Sequence, residues 1–208
     1  MFKLRPEIGQ DDAAPEEPPL PQKPSPDFVW QRPWTWLQVA GAALASPHAY
    51  FRGLAQARGI TPPLVFILIS QLLSSLGPQL VSPGANPLGL VALALVWGLA
   101  QALFMAVVIY LVARRIMKSP IRLDQTLRAF AYGGAIWVLY FAAQLLPGLF
   151  SPLFLAVMLG VHFYLMMAGL VEMGRMSMPL AAACQIIAMV VLFLAMLLIN
   201  QLGKPTVT

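Results

Sequence analysis

The sequence predicts an all-α membrane protein: five transmembrane helices, a disordered N-terminal tail and an interfacial amphipathic helix. Three observations predict it. Residues 59–113 contain no Asp, Glu, Lys or Arg, and Ala129–Val171 and Met176–Gly203 are equally free of charge. A crossing needs about 20 apolar residues for a hydrocarbon core of about 30 Å, so these runs hold several. The bases gather at alternate junctions, as topology signals do. Backbone groups in lipid must be bonded within the segment, which leaves helices. The alternating pattern of β-barrel strands is missing from the sequence.

Residues 1–32 form the predicted tail. The first 27 residues carry six acids and three bases, with prolines at 6, 15, 18, 19, 21, 24 and 26. Such a stretch buries too little apolar area to offset its ordering entropy and reads as disordered and partly polyproline-like. A cleaved leader, with its basic start and apolar run, is not expected. Residues 33–60 follow. Trp34, Trp36 and Leu37 open an apolar segment, and Ser46-Pro47 starts a short helix bearing Tyr50, Phe51, Leu54, Arg52 and Arg58. Aromatics beside arginines suit a helix lying in the headgroup plane. An ordinary helix packed on the bundle fits the same residues.

The five-span domain covers 61–203, with a short tail at 204–208. Proline is favoured at the first helical position, and a preceding Ser, Thr or Asn can cap the free amides. Thr61-Pro62, Asn86-Pro87 and Ser151-Pro152 follow this pattern, and Met178-Pro179 repeats it without a capping side chain. The spans are placed near 62–82, 87–113, 127–147, 152–172 and 179–202. The first is the most polar, with Ser70, Gln71, Ser74, Ser75 and a late Pro78. A re-entrant hairpin competes with a full crossing there.

Orientation follows from Lys and Arg, which mark the cytoplasmic side. Arg52, Arg58, Arg114, Arg115, Lys118, Arg122, Arg128 and Arg175 fall on one side, and Lys204 alone on the other. The N-terminus is therefore expected inside and the C-terminus outside.

The net charge of +5 and pI near 9.7 would suggest nucleic acid in a soluble chain. Here anchoring to anionic headgroups explains the bases, and no nucleic-acid partner is expected. Arg114, Arg115, Lys118, Arg122 and Arg128 are the candidate lipid- or partner-binding residues. Topology marking alone also accounts for them. Tyr132, Gly133, Gly134 and Gly169 are candidate helix-packing residues, since small side chains let helices approach in lipid. Glu172 and Arg175, three apart at a helix end, are within pairing distance and are expected to clamp helices near the cytoplasmic face.

His162 is the one ionisable group at mid-membrane depth, with Met158 and Met166 one helical turn either side. Imidazole and thioether suit Cu(I) or a haem axial position. A neutral, hydrogen-bonded His among packing methionines explains the pattern without metal, and no cofactor is expected. Cys184 is alone, which excludes an internal disulfide or a multi-cysteine zinc site. Nucleophile elbow, zinc-protease helix, phosphate-binding loop and paired intramembrane carboxylates are all missing from the sequence, so the protein is expected not to be an enzyme.

Three stretches carry a family resemblance. They are SPHAYFRGLAQARG before TPPLVFILIS, then Thr126-Leu-Arg-Ala-Phe-Ala-Tyr-Gly-Gly followed by Leu146-Pro147-Gly148, and Gly169-Leu-Val-Glu172-Met-Gly174-Arg-Met-Ser177. With five spans in matching order, the chain from Ser46 onward resembles the Yip family, membrane proteins named for interaction with Ypt/Rab GTPases. The family often has proline where Ile136 stands, histidine where Gly174 stands and lysine where Leu180 stands, so roles of those residues do not carry over. The Ala/Leu/Pro-rich composition is similar to the family's bacterial members, which implies a bacterial inner membrane.

The resemblance implies a non-enzymatic adaptor or scaffold engaging lipid or a protein partner at its cytoplasmic face. The alternative is a small transporter or lipid-moving protein. It would act as a homo-oligomer, with Gln71, Gln101, Gln144, His162 and Gln185 as lining. A third reading is a copper or haem assembly factor using His162, Met158 and Met166.

Overall fold

Asn86 caps a long apolar helix. Its side chain accepts the Gly89 N–H at 3.0 Å, and Pro87 occupies the first helical position. The computed structural model describes residues 27–81, 86–140, 146 and 150–202, and all described secondary structure is helical. Helix α1 covers Thr35–Ala45, α2 Pro47–Gly53, α3 Thr61–Val81 and α4 Pro87–Leu111. A π-helical turn, Val112–Ile116, extends α4. Helix α5 covers Leu123–Gly133 and tightens into a 3-10 segment, Gly134–Leu139. Helices α6, Phe150–Gly174, and α7, Met178–Leu202, complete the described residues.

Among the described residues, three helices are long and apolar enough to cross a membrane: Pro87–Ile116, Phe150–Gly174 and Met178–Ile199. Their outer faces are oily. Leu88 is 82% exposed and Val96 69%. Water would not tolerate so continuous an apolar surface, and lipid favours it. Two of the five predicted spans differ from this pattern. Helix α3 is a single helix of 21 residues, of which the described apolar stretch is Thr61–Leu76. The stretch predicted as one span at 127–147 starts earlier, at Leu123, and changes helix type at Gly134. Residues 141–145 and 147–149 lie outside the described residues. The start is earlier because Gln125 caps it from within the first turn: the Arg122 N–H donates to Gln125 Oε1 at 2.9 Å.

The expected loose tail to residue 32 is pinned before that point. Phe28 is buried, edge-on to Phe66, and Asp27 joins an ion pair. Residues 1–26 lie outside the described residues. Helices α1 and α2 pack on the bundle through Trp36, Val39, Ala43, Tyr50 and Phe51, while Trp34, Leu37 and Leu44 face outward. One core cluster joins α1, α2, α3 and α5. A second joins the C-terminal half of α4 to α6 and α7.

Candidate functional site

Arg128 has no exposed side-chain surface, which removes it from the predicted lipid-binding set. Its Nε and Nη2 reach Asp27 Oδ2 at 3.1 and 2.9 Å, Nη1 reaches Asp124 Oδ2 at 3.1 Å, and Nη2 also donates to Arg58 O at 2.9 Å. A buried guanidinium needs such partners, because an unpaired one would lose its hydration for nothing. Tyr132, also buried, donates its hydroxyl to Asp27 Oδ1. Arg122 is largely used inward as well: Nε pairs with Asp124 Oδ1 at 3.0 Å and Nη2 donates to Ala57 O at 2.6 Å. Two arginines thus face two carboxylates. Burial pushes the Asp124 carboxyl up, but the Arg122 and Arg128 guanidiniums outweigh it and hold it below the usual range. Arg114, Arg115 and Lys118 remain exposed at the end of α4 and make no ion pair among the described residues.

Glu172 does form a clamp between helices, but its partner is not Arg175. The carboxylate takes a bidentate contact from Arg52 of α2, Nε to Oε2 at 2.8 Å and Nη2 to Oε1 at 3.1 Å, with His48 Nδ1 at 3.0 Å from Oε1. Arg175 stands past the end of α6 with φ 52°, a left-handed conformation that turns the chain away. A groove of about 560 Å³ lies beside this clamp, edged by Arg58, Arg122 and Arg175.

A larger cavity of about 800 Å³ lies between the middles of α3, α4, α6 and α7, with the start of the 3-10 segment on one side. Gln71, Gln101, His162 and Gln185 line it, so four of the five lining residues suggested by the sequence meet there; Gln144 lies outside the described residues. His162 Nδ1 contacts Gly133 O at 3.0 Å, and the ring sits edge-on to Phe130 and Trp137. With Nδ1 donating to that carbonyl, Nε2 keeps the lone pair. Met166 shares the wall with His162, whereas Met158 is buried outside it.

The three sequence stretches that carried the family resemblance converge on one junction. Ala129 of α5 sits against Gly169 of α6 so closely that a Cβ on Gly169 would fall 2.7 Å from the Ala129 Cβ, with the Phe51 ring of α2 3.5 Å away. Tyr50 and Tyr132 meet edge to face. A Cβ on Gly133 would approach Met166 Cγ to 3.1 Å, while one on Gly134 would meet nothing nearer than 4.0 Å, so Gly134 is not a tight packing site. The Yip1 domain model matches residues 41–199. The chain belongs to the Yip1 family. Compared with curated proteins and with solved structures, it matches none.

This Yip1 protein thus has a neutralised charged junction, an exposed basic face and a largely apolar cavity at mid-helix depth that carries several polar side chains. Sequence reasoning missed Asp27, His48 and Arg52 as partners. Asp27 lies 101 residues from Arg128 along the chain, and no spacing rule reaches that far.

Proposed function

We propose that this Yip1 protein is a non-enzymatic integral membrane adaptor that engages anionic lipid headgroups through its cytoplasmic face. The observation that carries this reading is the exposure of Arg114, Arg115 and Lys118 together at the end of a membrane-length helix, while Arg128 is buried and Arg122 is paired with Asp124. Each base near an anionic surface contributes about 1 kcal/mol. The five-crossing frame remains the best account of the charge pattern. Helix α3, at about 1.5 Å per residue, is long enough to cross, and Trp34 and Leu37 suit the headgroup layer. Lys and Arg counting supports a cytoplasmic position for the loop after α4, and the compositional likeness to bacterial family members supports a bacterial inner membrane.

The test is lipid retention. Purified from mixed phosphatidylglycerol and phosphatidylcholine, the protein should carry phosphatidylglycerol in excess. R114Q/R115Q/K118Q should lose that excess without a change in thermal stability. Equal retention by the variant rejects the reading. Recovery of a stoichiometric protein partner in mild detergent, lost in the same variant, would favour the protein-partner form of the adaptor.

A second reading, an oligomer that moves lipid, is favoured by the mid-membrane cavity. Lipid flux between the leaflets of reconstituted vesicles would separate it from a static adaptor.

A further inference from the structure

We propose that the mid-membrane cavity is a binding site for an uncharged lipid whose headgroup bears hydroxyl or carbonyl groups. This goes beyond the adaptor reading and needs no movement of lipid, since a resident occupant satisfies it.

The chemistry of the wall sets the class. The lining residues include amides, hydroxyls, an imidazole and aromatic rings, and no Asp, Glu, Lys or Arg. A phosphate or ammonium group placed there would have no counter-charge, in a medium where an unpaired charge is very costly. The arginines that would suit a phosphate are gathered at the end of the bundle instead.

Polar capacity is nevertheless left over. The carboxamides of Gln71 and Gln101 have no hydrogen-bond partner among the described residues, and both line the cavity. A bare amide in hydrocarbon is unfavourable, so these groups ask for a polar occupant. An amide offers both donors and acceptors, which matches a hydroxyl or a carbonyl. The other polar groups are partly committed. Trp36 Nε1 donates to Ser70 Oγ at 2.9 Å, and Ser74 and Ser75 donate to carbonyls of their own helix. Gln185 is folded against the α6 backbone, its oxygen 2.7 Å from the Met167 N–H when its nitrogen faces Phe163 O.

Size and access agree. About 800 Å³ is within the usual range of ligand pockets, roughly 300–1,000 Å³. It holds a headgroup and the first part of a chain. The cavity is open on one side, and Leu90, Trp97, Leu159 and Met189 of its lining are exposed. A chain can therefore lie between helices and run out into the bilayer. Gly98 makes the room on α4: a Cβ there would fall 2.5 Å from the Gln71 carboxamide carbon.

Two lipid sources share this chemistry, diacylglycerol and an isoprenoid quinone. The full chain in nanodiscs is exposed to a photoreactive diacylglycerol, a photoreactive ubiquinone and a photoreactive phosphatidylglycerol. At least one neutral probe should label peptides from α3 or α4 around Gln71 and Gln101, and whichever one does identifies the source. Q71L/Q101L should lower that labelling about tenfold, from the loss of two hydrogen bonds. Q101L alone, at an exposed wall position, keeps the experiment readable if the double variant does not fold. Labelling of the cavity by phosphatidylglycerol at the level of the neutral probes overturns the proposal. So does the failure of both neutral probes, or labelling that Q101L leaves unchanged.

Discussion

Gly169 has no room for a side chain. Its missing side chain lets α6 touch the backbone and side chain of Ala129 on α5. Gly169→Ala should destabilise the protein by about 1–3 kcal/mol, the usual cost of overpacking. Thermal unfolding in detergent would read this, with Gly134→Ala as a control expected to change little. Arg128 is the opposite case, a charge that persists in the interior only because Asp27 and Asp124 surround it. Removing one member of a buried pair costs about 3–5 kcal/mol. Asp27→Ala and Arg128→Ala should each lower stability by an amount of that order, and the double variant by much less than their sum. Additive losses would show that the pair does not couple. Asp124 gives a pH signature. Its folded carboxyl lies below the ordinary 3.8, so its stabilising contribution is complete above that value. The contribution then fades as pH falls through the lower, folded value. Unfolding curves of the parent and Asp124→Asn should therefore differ most near neutrality and converge in strong acid.

At the scale of elements, the sequence was most readable where the physics is local. The proline-opened helix starts at residues 61, 86–87 and 178 fall where capping rules put them, and Asn86 makes the expected side-chain bond. The start near residue 151 lands within two residues. Helix α5 was less legible. Its first turn is polar and self-capped, and its second half winds more tightly, so uniform span counting merged two different pieces. Glu172 shows the same limit. Spacing along one helix suggested Arg175, but tertiary packing brought Arg52 and His48 from α2, more than a hundred residues away. Long-range partners leave no periodic trace in a single sequence. The glutamine lining was partly legible, because an amide in an apolar helix must face something other than lipid.

Seen as one molecule, the described residues gather Arg52, Arg58, Arg122, Arg128 and Arg175 at one end of the bundle, with oily faces around the sides. This arrangement makes topology directly measurable. In a Cys184→Ala background, cysteines at Asn86 and Lys118, at opposite ends of α4 and both exposed, should react with a membrane-impermeant reagent from opposite sides. Ser177→Cys, between α6 and α7, should side with Lys118→Cys. Labelling of all three from one side would end the crossing model. The salt link made by Asp27 also matters to anyone who trims this protein. The family match begins at residue 41, yet the buried Phe28 and Trp36 lie before it, as does Asp27, which pairs with the buried Arg128. A gene shortened to the matched boundary would encode a bundle with a hole in its packing and an orphaned cation. Poor yield from such a truncation would reflect the missing plug, and restoring the chain from residue 27 should cure it.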